Sequence, residues 1–179
     1  MSRERESSTS KHLEVAVSGS RAIHDRQYVW AILDYELTEW AIAGYEVSLR
    51  LGDASGVDSH AVAWARERQI AHTVYFASGA GYERAVSERQ VLVENNVEVG
   101  WELKLASDWA KDGERAGTIR NSAMLHMADI LIAIHDGSST GTRDAMAQAK
   151  MRSVFIHYWT FPPVSAECLA LGYTRKESA

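Results

Sequence analysis

Three short loops, each placed between a predicted strand and a predicted helix, constrain the fold of this chain most. They span residues 18–21, 52–58 and 137–142 and are rich in glycine, serine and aspartate. Small residues allow a close approach of the backbone, and each loop leads into a helix amino terminus, where amide N–H groups attract anions. Repeated strand–loop–helix units of this kind predict an α/β fold built on a parallel sheet.

Hydrophobic periodicity supplies the elements between the loops. Short apolar runs predict strands at 13–17, 46–51, 73–76, 129–135 and 153–157. Apolar stripes predict a helix that is capped by Asp25 and ends near Gly44, and further helices at 59–69, 117–127 and 143–149. Right-handed crossovers place the strands in the order 3-2-1-4-5. We therefore expect a Rossmann-like three-layer sandwich, with a mostly parallel five-stranded sheet and helices on both faces.

The chain fits a single domain. Its 179 residues are 46% hydrophobic, which is sufficient for one core. Residues 1–11 are charged and hydroxyl-rich without periodicity, which predicts a disordered tail. We expect the domain to span residues 12–160 and a carboxyl-terminal tail to follow at 161–179. Within the domain, residues 77–109 mix a helical and an alternating stretch, and we interpret them as an insertion.

Composition narrows the classes of partner. The net charge is −5, which argues against a nucleic-acid partner because a phosphate backbone favours a concentrated basic face. The longest apolar stretches, such as 128–134, are too short to cross a membrane, and no signal-peptide pattern begins the chain, so we expect a cytoplasmic protein. Cys168 is the single cysteine, which excludes an internal disulfide and a thiolate metal cluster within one chain. No metal site is predicted.

The chain reverses direction between the first and fourth predicted strands, which opens a crevice at their carboxyl ends. Arg21 and Arg120 are expected to neutralise an anion there. Aspartates at the loop and helix starts either hold ribose hydroxyls or cap helices, and for Asp58 the cap is the better interpretation. The residues predicted to bind a ligand are Gly19, Ser20, Arg21, Gly52, Asp53, Ser55, Gly56, Asp58, Arg115, Arg120, Asn121, Asp136, Gly137, Ser138, Ser139, Thr140, Gly141 and Thr142.

Four ordered segments together resemble the YspA/YpsA-related SLOG family. They are Gly19-Ser20-Arg21, residues 52–58, Asp108-Trp109 with residues 115–125, and residues 136–142, and the resemblance extends from about residue 15 to residue 156. It implies a Rossmann-like fold and a nucleotide or nucleotide-derived ligand, related to NAD or ADP-ribose. The superfamily also contains the LOG phosphoribohydrolases. Arg120 matches their upstream arginine and Asp144 falls near their first acid, but Ala145 replaces the second acid.

The leading functional prediction is a domain that binds or senses a nucleotide-derived small molecule, requires no cofactor and does not bind nucleic acid or a membrane. The alternative is an N-glycoside hydrolase or transferase acting on nucleoside monophosphates, with Arg120 and Asp144, or Asp136, as catalytic residues. A third interpretation is an interaction protein whose Trp101 and Trp109 form a dimer or partner surface. A homodimer or higher homo-oligomer is expected.

Overall fold

The chain folds as alternating strands and helices around one sheet. The computed structural model describes residues 11–162 and the backbone of residues 176–177. The strands are β1 (Lys11–Gly19), β2 (Tyr45–Gly52), β3 (His72–Phe76), β4 (Trp101–Leu105), β5 (Ile130–His135), β6 (Phe155–Thr160) and β7 (Lys176–Glu177). The helices are α1 (Arg26–Ile42), α2 (Val57–Glu67), α3 (Gly79–Glu94), α4 (Trp109–Asp112), α5 (Ala116–Leu125) and α6 (Thr140–Met151), with a 3₁₀ turn at Gly113–Arg115.

The described strands form one sheet in the order β4-β3-β2-β1-β5-β6-β7. Strands β1 to β6 are parallel, and β7 pairs with β6 antiparallel. The predicted Rossmann-like layout and the order of the five predicted strands are confirmed, but the predicted number of parallel strands is wrong because β4 adds a sixth. β4 lies at the sheet edge, alternates apolar and charged residues, and has no buried residue. It therefore lacks the continuous apolar run that marks a buried strand.

Residues 77–109, which we interpreted as an insertion, form α3 and β4. The Ser78 side chain caps α3 by accepting a hydrogen bond from the amide of Gly81 at 3.2 Å. No residue of α3 is buried. The segment therefore adds one helix and one strand to the outer edge of the sheet, in the same strand–helix–strand pattern as the rest of the chain.

The predicted tails lie mostly outside the described residues. Of the amino-terminal tail, the structure describes only Lys11, which already belongs to β1. Of the carboxyl-terminal tail, it describes residues 161–162 and the two residues of β7. Residues 1–10, 163–175 and 178–179 fall outside the described part, so disorder at the amino terminus and the tail at the carboxyl terminus stay predictions.

Alternate side chains of the central strand β1 divide the core between the two sheet faces. Val15 and Val17 pack on the side of α1 and α2, in a cluster that includes Trp64. Ala16 faces the other way and packs on the side of α5 and α6, in a cluster that includes Met124. Helices thus cover both faces, as predicted. Among the described helices, none is long and apolar enough to cross a membrane.

The amino terminus of α2 packs directly against the loop that follows β1. The amide of Val57 donates to the carbonyl of Ser20 at 3.3 Å. A Cβ atom on Gly19 would lie 2.5 Å from Val57, and one on Gly56, whose φ is +73°, would lie 2.4 Å from the Ser20 carbonyl oxygen. Glycine at these two positions is therefore required by the contact between two loops, whatever the pocket binds.

A buried ion pair joins α2 to α5 above the end of β2. Arg120 Nη1 donates to Asp58 Oδ2 at 2.8 Å, and the two residues are 6% and 3% exposed. The interpretation of Asp58 as a helix cap is wrong, because α2 has Gly56 at its N-cap with no side-chain cap bond and the Asp58 carboxylate faces Arg120 instead. A Cβ atom on Gly52 would lie 1.4 Å from Arg120 Nη1 and 2.2 Å from Asp58 Oδ2. The ion pair occupies the space that a side chain at position 52 would need.

We expect Gly52→Ala to destabilise the fold by about 2 to 4 kcal/mol, because the added methyl group must displace a buried guanidinium from its carboxylate. The free energy of unfolding in urea measures this. Gly100→Ala is the matched control, since a Cβ atom there would meet nothing within 4 Å; its effect is expected to stay within about 1 kcal/mol. Equal stability of the two variants would show that the Arg120–Asp58 pair does not occupy the space over position 52.

Candidate functional site

A cavity of about 600 Å³ opens at the carboxyl ends of β1 and β5, where the sequence predicts a crevice. Its walls come from the loop after β1, the loop after β5, the starts of α2, α5 and α6, and Trp109. Most of the predicted site residues line it. They are Gly19, Ser20, Arg21, Asp58, Arg120, Asn121, Asp136, Ser138, Ser139, Thr140, Gly141 and Asp144.

The remaining predicted site residues do not line the cavity, namely Gly52, Asp53, Ser55, Gly56, Arg115, Gly137 and Thr142. Several of them support the wall from behind. Asp53 accepts a hydrogen bond from the amide of Ala77 at 3.0 Å, and the hydroxyl of the buried Thr142 donates to Ser139 Oγ at 3.0 Å. The middle loop, 52–58, therefore contributes structure more than ligand-facing groups.

Asp136 fastens the two loops that border the cavity to each other. Its carboxylate accepts the hydroxyl of Ser20 at 2.6 Å and the amides of Ser138 and Ser139 at 2.9 Å each. The Ser20 hydrogen bond, followed by these amide bonds, lowers the pKa of Asp136 well below its usual range. The group is ionised at neutral pH, and the protein itself uses its oxygens as acceptors.

The floor of the cavity holds the Arg120–Asp58 pair. Burial raises the pKa of Asp58, while the adjacent Arg120 guanidinium opposes that shift. Asp53 Oδ1 lies 3.7 Å from the same guanidinium nitrogen. Two carboxylates thus neutralise Arg120, so it adds little net positive charge to the cavity. Three buried atoms of the floor have no hydrogen-bond partner among the described residues, namely Asp58 Oδ1, Arg120 Nε and Asn121 Oδ1.

Asp144 is held by two side-chain amides. Asn121 Nδ2 and Gln148 Nε2 each donate to Asp144 Oδ2 at 2.9 Å. Asn121 Nδ2 also lies 3.3 Å from the carbonyl oxygen of Gly141, which connects α5 to the first turn of α6. This network fixes the position of the Asp144 carboxylate relative to the opening of α6.

The groups that remain available to a ligand are an aromatic ring, one cation and a helix start. Trp109 is 43% exposed, and its ring edge packs against Gly117, where a Cβ atom would be 3.4 Å from the indole. Arg21 is exposed at the rim. Ser139 caps α6 by accepting from the amide of Thr142, and the first amides of that helix have no carbonyl partner inside it.

Seven residues that line the cavity are absent from the predicted ligand-binding and catalytic set, namely Ser18, Ala22, Ala54, Trp109, Glu114, Gly117 and Thr118. A signal for Trp109 was present, because it is a large aromatic residue just before the segment that carries Arg120. Its indole could not be distinguished from core tryptophans such as Trp64 by sequence, because exposure, 43% for Trp109 and 1% for Trp64, depends on the fold.

Solved structures of DNA processing protein A have a similar fold. The Helicobacter pylori protein, described for its single-stranded DNA binding mode, is 18% identical, with a TM-score of 0.53 over 89% of this chain and 73% of that chain. The Streptococcus pneumoniae protein is 16% identical, with a TM-score of 0.60 over 93% of this chain. This chain spans 59% of the Streptococcus chain. At such identities the similarity establishes the fold.

These fold neighbours contradict the predicted function and partners. We interpreted the chain as a nucleotide-ligand sensor, or alternatively an N-glycoside hydrolase, and excluded nucleic acid. That prediction is wrong, because both of these fold neighbours are DNA processing protein A, and the Helicobacter pylori protein is described for its single-stranded DNA binding mode. The exclusion rests on net charge, which is an average over the whole chain, whereas single-strand binding depends on the phosphate contacts and aromatic stacking available in one groove.

No curated protein matches the chain in sequence. The model of the YAcAr family, described as the YspA, cpYpsA-related SLOG family, matches residues 13–79. That range contains the first two glycine motifs: Gly19 allows β1 to pack against Val57 of α2, and Gly52 leaves space for the Arg120–Asp58 pair. The resemblance inferred from the sequence is therefore confirmed: residues 13–79 match the YspA, cpYpsA-related SLOG family.

Proposed function

We propose that the cavity at the carboxyl ends of β1 and β5 binds a short segment of single-stranded DNA. The observation that carries this proposal is the exposed indole of Trp109 on the wall of a cavity that also contains Arg21 and the start of α6. The likeness of the fold to DNA processing protein A supports it.

The base stacks on Trp109. The backbone of this residue is anchored, because its amide donates to the carbonyl of Ala77 at 3.0 Å and Asp108 caps the short helix that it begins. One edge of the ring lies next to Gly117, which has no side chain to push it away from the cavity. Stacking of a base on an aromatic side chain is tolerant of sequence and contributes about 1 to 3 kcal/mol.

The phosphate binds at the rim, to Arg21 and the opening of α6. Arg21 is the cation on the cavity wall that no carboxylate of the described residues pairs with. The amides of Thr140 and Gly141 begin α6, where backbone N–H groups and the helix dipole favour an anion. Because Arg120 is neutralised from below, these groups supply the attraction for one or two phosphates.

The acidic residues of the cavity limit the bound segment to a few nucleotides. Glu114 and Asp144 line the same cavity as Arg21, and their carboxylates repel a polyanion that runs past them. A long basic track is not available on these walls. The proposed complex therefore depends on stacking to a greater extent than on charge.

The first test removes the stacking platform. A dye-labelled oligothymidylate, titrated with the protein and followed by fluorescence anisotropy, should bind about 5- to 150-fold more weakly to Trp109→Ala, the equivalent of losing one stacked base. Trp109→Phe should recover part of the affinity. Phe155→Ala is the matched control, because Phe155 is 53% exposed but begins β6, at the amino ends of the parallel strands and away from the cavity. Equal affinities of wild type and Trp109→Ala would contradict the proposal.

The second test counts phosphates through the salt dependence of binding. For a single strand, log K falls with log [salt] by about 0.7 per phosphate contact, so a slope of about −0.7 to −1.4 is expected. Arg21→Ala should make the slope shallower by about 0.7. Lys150→Ala, at the other end of α6, should leave it unchanged. A steep slope that Arg21→Ala does not alter would place the strand elsewhere on the protein.

A further inference from the structure

A second cavity, of about 460 Å³, lies at the opposite end of the parallel strands from the first cavity. Trp101 and His72, which begin β4 and β3, both line it, so it opens at the amino ends of the parallel strands. The end of α2 and the connection from α3 to β4 complete its walls. Much of the lining is apolar, from Ile70, Leu92, Val97, Val99 and Trp101.

Two arginines surround the indole of Trp101. The guanidinium carbon of Arg66 lies 4.3 Å from the ring centroid and that of Arg89 lies 5.6 Å from it. No carboxylate of the described residues forms an ion pair with either arginine. Arg89 Nε is buried and has no hydrogen-bond partner in that part of the chain. Two cations are thus held around one ring with no carboxylate in direct contact; the charge of Glu88 acts on Arg66 from outside ion-pairing distance and partly offsets the lowering of its pKa by burial.

His72 adds a neutral wall rather than a third cation. Its ring stacks on Trp101, with centroids 6.1 Å apart and planes 18° apart, and the residue is 4% exposed. Its Nδ1 lies 2.7 Å from the carbonyl oxygen of Ile70, and its Nε2 is buried without a partner among the described residues. Burial lowers the pKa of His72, so the imidazole is uncharged at neutral pH.

From this geometry we infer that the second cavity binds a small organic carboxylate with an aromatic or aliphatic body. The body lies against the apolar wall formed by Ile70, Leu92 and Trp101, where its transfer from water is favourable. The carboxylate pairs with Arg66, whose planar guanidinium is oriented by its position over the indole. Glu98, on the same wall, disfavours more highly charged anions.

Phenylacetate is the probe that tests this site, and two related compounds, phenylacetamide and acetate, are compared with it on the wild-type protein. In a titration of ¹⁵N-labelled protein, the indole N–H signal of Trp101, assigned with Trp101→Phe, should shift and give a dissociation constant in about the millimolar range. Phenylacetamide keeps the body without the charge, and acetate keeps the charge without the body. Each should bind at least about tenfold more weakly. The indole signal of Trp109 should not move.

A variant then assigns the carboxylate to its cation. Arg66→Gln should weaken phenylacetate binding at least about tenfold, while Arg84→Gln, on the exposed start of α3, should not. Circular dichroism checks that both variants are folded. The wild-type titrations alone are enough to overturn the inference. They do so if phenylacetate and phenylacetamide bind equally well, or if neither probe shifts the Trp101 signal. Unchanged binding by folded Arg66→Gln would overturn the role of that arginine.

Discussion

The buried ion pair between Arg120 and Asp58 determines how the two helical layers meet at the functional edge of the sheet. Asp58 belongs to α2, which packs on one face, and Arg120 belongs to α5, which packs on the other. The pair passes over the end of β2, where Gly52 has no side chain to block it. Burying two charges costs several kcal/mol unless they pair well, so removal of Arg120 would leave the buried Asp58 carboxylate uncompensated.

The other charged groups around the cavity also bond mainly to the protein itself, and they hold the cavity walls in position. Asp136 holds the loops after β1 and β5 together through Ser20 and two amides. Asp144 is fixed by Asn121 and Gln148 between α5 and α6. Most of the conspicuous polar residues are thereby committed to one another. The groups left to contact a ligand are the exposed Arg21, the ring of Trp109 and the opening of α6.

The sequence predicted those parts of the fold that depend on local signals. Apolar runs located the buried strands, the Asp25 side chain caps α1 as predicted by accepting from the amide of Tyr28, and the crossover rules gave the order of the central strands. The edge strand β4 escaped prediction because its side chains are only partly covered. The cap assigned to Asp58 failed because its true partner, Arg120, lies 62 positions away in sequence, and no local pattern reports such a contact.

Net charge misled the prediction of partners for a related reason, because it averages over the whole chain while binding depends on nearby groups. At physiological ionic strength, charges more than about 8 Å from a ligand are largely screened, so most of the surface carboxylates have little effect on a strand bound at one edge of the sheet. What remains is local: Arg21 and the helix amides attract a phosphate, whereas Glu114, Asp136 and Asp144 repel it. Because these carboxylates outnumber the unpaired arginine, the proposed complex depends on stacking against the exposed ring of Trp109, and that contact does not depend on the charge of the protein.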